Sequence, residues 1–323
     1  MASDSIAVKD LAKPKLYTLV VNEGSGGGRS GRELPRVAWA LRDRLATVEV
    51  RVQYSDSWTN AETLTRSAAL AARDGDAVIV MGGDGMAHLG LNACAGTDAT
   101  LGIIPAGTGN DFARAIGVPK DLAHAVDTIC TGATRRLDLA HLSNEAYRSR
   151  YVGAVVSTGY DARVNRATND ISLRFGSLSY GWVALRELVH FSPLQYRIRI
   201  DGVLRIQEAM IVAVCNTGMF GGGMRIAPRA DPADGKLDVT IVDPVSRTTL
   251  LRLLPQMYSG NFARHRAVQQ FRAHEVQIAG DGLFCMGDGE ELGDVPVTVT
   301  AAPGILKVFA DPEHADAAAT LKA

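Results

Sequence analysis

Three glycine-rich loops in the first half of the chain carry the clearest chemical signal. They cover residues 22–28, 82–85 and 106–111, and each follows a short apolar run. Glycine has no Cβ, so backbone N–H groups in such loops can approach phosphate oxygens closely. An ordinary turn between a strand and a helix is the alternative for any one loop. Three of them at one sheet edge predict a phosphate-bearing ligand, although the common dinucleotide and Walker-type fingerprints are absent.

Acidic residues accompany these glycines. Asp84 lies inside the second loop, where a carboxylate is useful if it holds Mg²⁺ against phosphates. The alternative is that Asp84 only caps the helix that follows. Far downstream, Gly287-Asp288-Gly289-Glu290-Glu291 presents carboxylates on a glycine turn. Such a carboxylate is suited to deprotonate an acceptor hydroxyl in phosphoryl transfer. The alternative interpretation of this segment is a hairpin turn whose acidic side chains are only solvated.

Alternating strands and helices must position the three loops. Apolar runs at 16–21, 48–53, 76–81 and 100–105 alternate with helical patterns at 32–46, 60–72, 86–95 and 121–131. Asn60 is the expected N-cap of the second helix. This alternation predicts a parallel sheet with helices on both faces.

The pattern changes after about residue 133. Strands are expected at 136–142, 150–157, 196–200, 204–215, 236–242, 274–279, 295–300 and 305–309, with helices at 173–190 and 246–259. Turn signals such as Asp201-Gly202 favour antiparallel pairing. The predicted fold is a doubly wound parallel α/β domain at 15–132, followed by an antiparallel, β-sandwich-like domain at 133–302.

Composition limits the class of protein. The 323 residues include 34 Lys and Arg against 35 Asp and Glu, a balance that argues against a strongly basic nucleic-acid binder. The four cysteines form no C-x-x-C pair and are expected to be free thiols of a reducing compartment. No apolar run reaches the length of a membrane span, and the first residues lack a signal-peptide core. A cytoplasmic protein with peripheral, transient membrane contact is therefore expected.

The glycine loops and the Asp288-Gly289-Glu290 turn, in this order, resemble the diacylglycerol kinase catalytic family. More narrowly, they resemble the soluble bacterial lipid kinases related to sphingosine kinases, over about residues 16–309. The resemblance implies a two-domain fold similar to NAD kinases and 6-phosphofructokinases, with ATP between the domains. It also implies that a C-terminal strand at about 303–312 completes the N-terminal domain.

The resemblance further implies roles for individual residues. Glu290 takes the position of the catalytic base, and Asp84 and Asp288 assist it through the metal or the base. The implied nucleotide contacts are Asn22, Glu23, Gly24, Ser25, Gly26, Ser55, Gly82, Gly83, Asp84, Gly85, Met86, Ala87, His88 and Thr108. Asp231, Asp234 and the Lys236 carbonyl match a structural Mg²⁺ loop, whose hard oxygen donors suit that ion. A plain polar turn is the alternative for this loop.

Three residues depart from the family's usual pattern. Met86 stands where Thr is usual, His88 where Asn is common, and Glu23 where Pro is common. Met86 removes a hydroxyl that could touch phosphate or a metal-bound water. His88 could donate a hydrogen bond to phosphate, or it could lie on the helix surface.

The function that the resemblance implies is an ATP- and Mg²⁺-dependent lipid kinase that converts diacylglycerol to phosphatidic acid. A kinase for a sphingoid or another lipid, or an NAD kinase, is the first alternative. A non-catalytic nucleotide-binding module is the second. The expected partner is diacylglycerol or a similar lipid at the membrane surface, and a homodimer is a family expectation only. The candidate lipid-receiving residues are Met219, Phe220, Met224, Arg225 and Arg229, which flank a run of three glycines.

Overall fold

The first half of the protein alternates strands and helices. The computed structural model describes residues 14–160, 162–164 and 192–311. The elements of this half are β1 (Lys15–Asn22), α1 (Ser25–Arg44), β2 (Val48–Ser55), α2 (Trp58–Leu70), β3 (Ala77–Gly82), α3 (Asp84–Cys94), β4 (Thr100–Pro105), α4 (Asp111–Ala115) and α5 (Leu122–Thr131).

Strands β2, β1, β3 and β4 lie side by side in that order and are all parallel. Strands β3 and β4 are buried along their whole length, as expected for strands covered on both faces. Helices α1 and α5 cover one face, and helices α2 and α3 cover the other. The carboxyl ends of β1, β3 and β4 therefore bring the three glycine loops to one edge of the sheet.

Two helix starts differ in detail from the prediction. Ser57, and not Asn60, caps helix α2, because its hydroxyl accepts the N–H of Asn60 at 3.2 Å. Helix α3 begins at Asp84 with Gly83 as its N-cap residue, so Asp84 is not a side-chain cap. The capping alternative for Asp84 is therefore wrong.

The second half is rich in strands. Its elements are β5 (Thr134–Ser143), β6 (Arg150–Val152), β7 (Val155–Gly159), β8 (Leu194–Ile200), β9 (Val203–Ala209), β10 (Ile211–Cys215), β11 (Met219–Phe220), β12 (Met224–Arg225), β13 (Leu237–Val242), α6 (Arg247–Ser259), a 3₁₀ turn (Asn261–Arg264), β14 (Val268–Ala273), β15 (Glu275–Ala279), β16 (Phe284–Gly287), β17 (Glu290–Asp294) and β18 (Val297–Phe309).

Three parts of the strand prediction differ from the structure. The strand predicted at 150–157 divides into β6 and β7, which belong to different sheets. The apolar run at 204–215 divides into β9 and β10, which belong to different sheets. The two strands predicted at 295–300 and 305–309 form the single long strand β18, with a register shift between Ala302 and Leu306. The helix predicted at 173–190 lies outside the described residues.

Strand β18 joins the two halves of the protein. Val308 pairs in parallel with Leu101 of β4. Strand β18 also pairs antiparallel with β5 along most of its length, and its earlier part pairs antiparallel with β15. One ten-stranded sheet thus continues from the parallel half into the antiparallel half. The C-terminal strand returns to the first half, as the family resemblance implies.

The second sheet has six strands in the order β14, β13, β10, β7, β16 and β17, and its paired strands are antiparallel. A fully buried apolar core lies between it and the antiparallel part of the larger sheet, with Tyr196, Ile198, Val212, Val239 and Val276 among its members. This arrangement confirms the predicted fold class, a parallel α/β half followed by an antiparallel sandwich-like half.

Candidate active site

The three glycine loops contact each other backbone to backbone. Ala106 and Gly107 donate their N–H groups to the Gly82 carbonyl at 2.8 and 3.1 Å. A Cβ at Gly107 would lie 2.3 Å from the Cα of Gly83, and one at Gly26 would lie 2.1 Å from the Ala106 carbonyl oxygen. No side chain fits at either contact, so these glycines are required for the loops to meet.

The first loop is arranged by its own polar groups. Asn22 accepts the Gly24 N–H at 3.0 Å, and three consecutive glycines with φ of +62° to +82° delay the first regular turn of α1. Ser55, at the end of β2, is in register with Asn22 and donates its buried hydroxyl to the Val21 carbonyl at 3.0 Å. The Ser55 hydroxyl therefore already donates a hydrogen bond to the neighbouring strand.

Asp84 holds the third loop in place. Its carboxylate accepts the N–H groups of Asn110 at 2.7 Å and Asp111 at 2.6 Å. Asn110 has a φ of +55°, and its side-chain amide closes the loop by two hydrogen bonds to the backbone of Gly107. Burial raises the pKa of Asp84 to about 6, and the charge of Asp111 adds to the increase. Asp84 is thus a partly buried carboxylate, and each of its two oxygens accepts an N–H of the third loop.

Asp111 connects the third loop to the second half of the protein. Its Oδ2 accepts the N–H of Gly222, at the tip of the β11–β12 hairpin, at 2.8 Å. Its Oδ1 is buried and has no hydrogen-bond partner. Burial raises the pKa of the Asp111 carboxyl, and the charge of Asp288 contributes in the same direction. Oδ1 therefore accepts no hydrogen bond from the described residues, and it forms an ion pair with Arg114 at 3.9 Å.

Asp288 anchors the turn that precedes Glu290. Its two oxygens accept the N–H groups of Gly153 at 2.8 Å and Ala154 at 2.7 Å, and its Oδ2 lies 3.1 Å from Nδ1 of His88. Asp288 itself has a φ of +52°, a conformation that Asp tolerates better than most residues. These three contacts fix the β16–β17 turn against helix α3 and against the connection between β6 and β7.

His88 links Asp288 to an arginine. The side chain is fully buried, and its Nε2 accepts a hydrogen bond from Nε of Arg150 at 3.2 Å. Because Nε2 is an acceptor, the ring proton lies on Nδ1 and is donated to Asp288. Arg150 also donates to the Glu62 carboxylate at 3.1 Å. A continuous chain of polar side chains thus runs from helix α2 through α3 to the β16–β17 turn.

Glu290 projects into the same region. Its Oε1 lies 3.6 Å from the point where a Cβ on Gly85 would stand, and the ring of Trp58 lies beside the same glycine. Burial raises the pKa of the Glu290 carboxyl, and the positive charge of Arg150 acts against this increase. Asp84, Asp288 and Glu290, from opposite ends of the chain, therefore meet at the second glycine loop.

The predicted nucleotide contacts differ in exposure, and Asn22, Ser25, Gly83, Asp84 and Gly85 are partly buried. Thr108, Glu23, Gly24 and Gly26 are exposed on the loops. The side chains of Met86 and Ala87 are buried in the core behind helix α3, so only their backbone could face a ligand. His88 is also buried and is bonded at both ring nitrogens, which corrects both earlier expectations, a phosphate contact and a position on the helix surface.

The acidic turn at 231–236 is stabilised by hydrogen bonds and an ion pair. Asp231 accepts the Ala233 N–H at 3.1 Å, and Asp234 accepts the Lys236 N–H at 3.0 Å and pairs with Arg272. A cation at this turn would compete with Arg272 for Asp234. Across the described ranges of the chain, no group of three His, Cys, Asp or Glu side chains is arranged to hold a metal ion. The magnesium loop stays a prediction.

Sequence reasoning missed three residues of the site. Asp111 is the last residue of the third glycine loop, and this position could have marked it. Arg150 and Trp58 gave no signal, since one lies in a short strand and the other at the start of a helix, and neither belongs to a glycine loop or an acidic turn. Among the residues that the structure describes, no helix is long and apolar enough to cross a membrane.

Comparison with known proteins agrees with this architecture. The second half of the chain matches, over residues 154–310, the YegS C-terminal NAD kinase beta sandwich-like domain. Residues 16–142 match the diacylglycerol kinase catalytic domain. The chain therefore belongs to the diacylglycerol kinase family of lipid kinases.

Individual relatives are also named diacylglycerol kinases. The chain is 38% identical over 249 residues to a diacylglycerol kinase of Mycobacterium tuberculosis, covering 76% of this chain and 80% of the relative. It is 27% identical over 282 residues to a diacylglycerol kinase of Bacillus subtilis, covering 83% and 88%. A solved structure described as a diacylglycerol kinase from Bacillus anthracis has a TM-score of 0.70 at 20% identity and covers 93% of this chain and 98% of that one.

Proposed function

We propose that the protein transfers the γ-phosphoryl group of ATP to the primary hydroxyl of diacylglycerol and so forms phosphatidic acid. The observation that carries the proposal is the half-buried Glu290 carboxylate, which lies next to Gly85 at the meeting point of the glycine loops. The diacylglycerol kinases among the relatives support this acceptor.

The glycine loops are suited to hold the nucleotide phosphates. The second loop leads directly into helix α3, and the N–H groups at the start of that helix carry partial positive charge. The first loop contributes exposed glycine backbone beside Ser25. Such fixed donors stabilise negative charge on the transferred group without having to reorganise during the reaction.

The residues present fit a Mg²⁺ ion. Asp111 Oδ1 is a buried oxygen that accepts no hydrogen bond, although Nη1 of Arg114 lies 3.9 Å from it. The charges of Asp111 and Asp288 both raise the pKa of Asp84. Mg²⁺ is usually held by one or two carboxylates together with phosphate oxygens and water, so Asp84 and Asp111 would suffice. When bound, the ion neutralises charge on the phosphates.

Glu290 supplies the base. Its carboxylate accepts the proton of the lipid hydroxyl while the hydroxyl oxygen bonds to the γ-phosphorus and the bond from that phosphorus to ADP breaks. The Asp288 turn fixes the direction in which Glu290 points. Trp58, whose ring lies beside Gly85, adds an apolar wall next to the carboxylate.

The test is an acceptor panel with labelled ATP and Mg²⁺. Diacylglycerol, monoacylglycerol, a sphingoid base and NAD are offered separately, and products are separated by thin-layer chromatography. We expect labelled phosphatidic acid from the wild type and a loss of about a hundredfold or more in Glu290→Gln. Glu291→Gln, the exposed neighbour on the same strand, is the matched control and should retain activity. Label confined to a sphingoid base or NAD, or normal activity in Glu290→Gln, would contradict the proposal.

A further inference from the structure

Helix α6 has two apolar faces. Leu250, Leu253 and Met257 are buried against the outer side of the six-stranded sheet. Leu251, Pro255 and Tyr258 follow one another at the spacing of one helix face and point the other way. Leu251 is 40% exposed and Tyr258 is 55% exposed, so this second stripe faces solvent.

Basic residues flank the exposed stripe. At 100° per residue, Arg247 and Arg252 lie on its two sides, and both are exposed. The segment between Asp243 and Glu275 contains five arginines and no acidic residue. Of these, Arg264 and Arg266 are exposed just beyond the helix. The positive charge around the stripe is therefore not offset within its own segment.

This combination favours one kind of partner. A helix that presents Leu and Tyr between exposed arginines has the composition of segments that lie in the interface of a bilayer with anionic lipids. Each arginine near such a surface adds about 1 kcal/mol to binding, which corresponds to about fivefold in affinity. Tyrosine is favoured at this depth because its ring is apolar and its hydroxyl stays in water.

The helix also lies close to the candidate active site. It packs on strand β12, and Met224 of that strand shares a core with Leu250. The hairpin formed by β11 and β12 reaches Asp111 through the N–H of Gly222. Only the β11–β12 hairpin would therefore separate a bilayer in contact with α6 from the Asp111 carboxylate.

We infer that the face of α6 formed by Leu251, Pro255 and Tyr258, with Arg247 and Arg252 beside it, docks the protein on an anionic lipid bilayer. The inference deepens the proposed function because it names the surface through which the enzyme meets its lipid. Docking there presents the β11–β12 hairpin, and behind it Asp111, to the bilayer surface.

The test is flotation of the purified full-length protein with vesicles of phosphatidylcholine alone or with phosphatidylglycerol added. We expect binding only to the anionic vesicles, weakened by added salt. Arg247→Gln with Arg252→Gln should reduce affinity about 30-fold. Leu251→Ser with Tyr258→Ser should also release the protein from the vesicles.

The control places equal changes on another exposed apolar surface. Leu204 and Ile206 of strand β9 are 50% and 67% exposed, and Arg199 lies opposite Leu204 in the neighbouring strand. Leu204→Ser with Ile206→Ser, and Arg199→Gln, should leave vesicle binding unchanged. Equal loss in these controls, or a wild type that does not bind anionic vesicles, would overturn the inference.

The same experiment separates this inference from the proposed function. Vesicle binding is measured without ATP and needs no catalytic activity. A protein that binds through α6 but phosphorylates no lipid would contradict only the kinase assignment. A protein that makes phosphatidic acid in detergent but does not bind anionic vesicles would contradict only the docking surface.

Discussion

Replacing Asp288 by Asn tests whether this carboxylate holds the β16–β17 turn. The Asp288 side chain is 4% exposed and accepts two backbone N–H groups and the His88 ring proton. Asn can accept with only one oxygen. Because Oδ2 of Asp288 accepts from both Gly153 and His88, the less costly orientation turns the Asn NH₂ group toward the N–H of Ala154. The left-handed backbone at this position suits Asn, so the change adds no conformational cost.

The expected loss can be worked out from these contacts. A hydrogen bond to a charged group contributes about 1.5–3 kcal/mol, and an unpaired buried N–H costs about 1–3 kcal/mol. One contact is lost and two become neutral, which totals about 3–5 kcal/mol on the scale of these bonds. Removing the charge also relieves repulsion of Asp84, Asp111 and Glu290, which returns about 1 kcal/mol. The free energy of unfolding should fall by about 2–4 kcal/mol.

Urea unfolding measures the global effect, and amide hydrogen exchange at Gly153 and Ala154 measures the local one. Protection of these two amides should fall by about 30-fold or more, in line with the free energy lost. Asp294→Asn, an exposed acid on strand β17, is the control and should change stability by less than about 0.5 kcal/mol. A loss below about 1 kcal/mol in Asp288→Asn, with unchanged exchange, would show that Asp288 does not hold the turn.

Three further predictions follow from the same contacts. Arg150→Met removes the donor to His88, so kcat for phosphoryl transfer should fall about tenfold with little change in the KM for ATP, and an unchanged kcat would contradict this role. Gly107→Ala places a methyl 2.3 Å from the Cα of Gly83 and should cost about 1–3 kcal/mol in thermal unfolding, whereas wild-type stability would show that the loops can separate freely. Because the pKa of Asp84 rises from 3.8 to about 6 on folding, the metal-free protein loses up to about 3 kcal/mol of stability as pH rises through that window, and the loss is complete above pH 6. Asp111→Asn should lower the pKa of Asp84, measured by carbon NMR titration of the side-chain carboxyls, and should weaken this dependence of stability on pH. An Asp84 pKa still at about 6 in the variant would contradict the prediction.

The strands and helices could be predicted because their patterns are local. Strands β3 and β4 are continuous apolar runs, and their glycine loops follow without interruption, so the parallel half and its loop edge were evident from the sequence. The division of 204–215 into β9 and β10 was not, since an uninterrupted apolar run does not show where a chain crosses from one sheet to another. The strand crosses at Met210, which is itself buried and apolar.

The site was only partly predictable because its contacts are made across the fold. Asp84 and Glu290 stand beside glycines and were found from that signal. His88 and Arg150 were not assigned to each other because their partners depend on how α3 meets β6, which no local pattern records. Met86 illustrates the same limit: its motif position suggested a phosphate contact, whereas its side chain fills the core.

The acids of the site differ in what their removal would test. Asp84, Asp111 and Asp288 each accept backbone N–H groups from a different segment of the chain, so each is part of the architecture. The pKa of Glu290 responds to burial and to neighbouring charges, and no described residue contributes a hydrogen bond to it. Loss of activity in Asp84 or Asp288 variants would therefore mix chemistry with displacement of the loops. Glu290→Gln changes the charge and basicity of a carboxylate to which no described residue donates a hydrogen bond. It is therefore the substitution that tests catalysis at this site without displacing the loops.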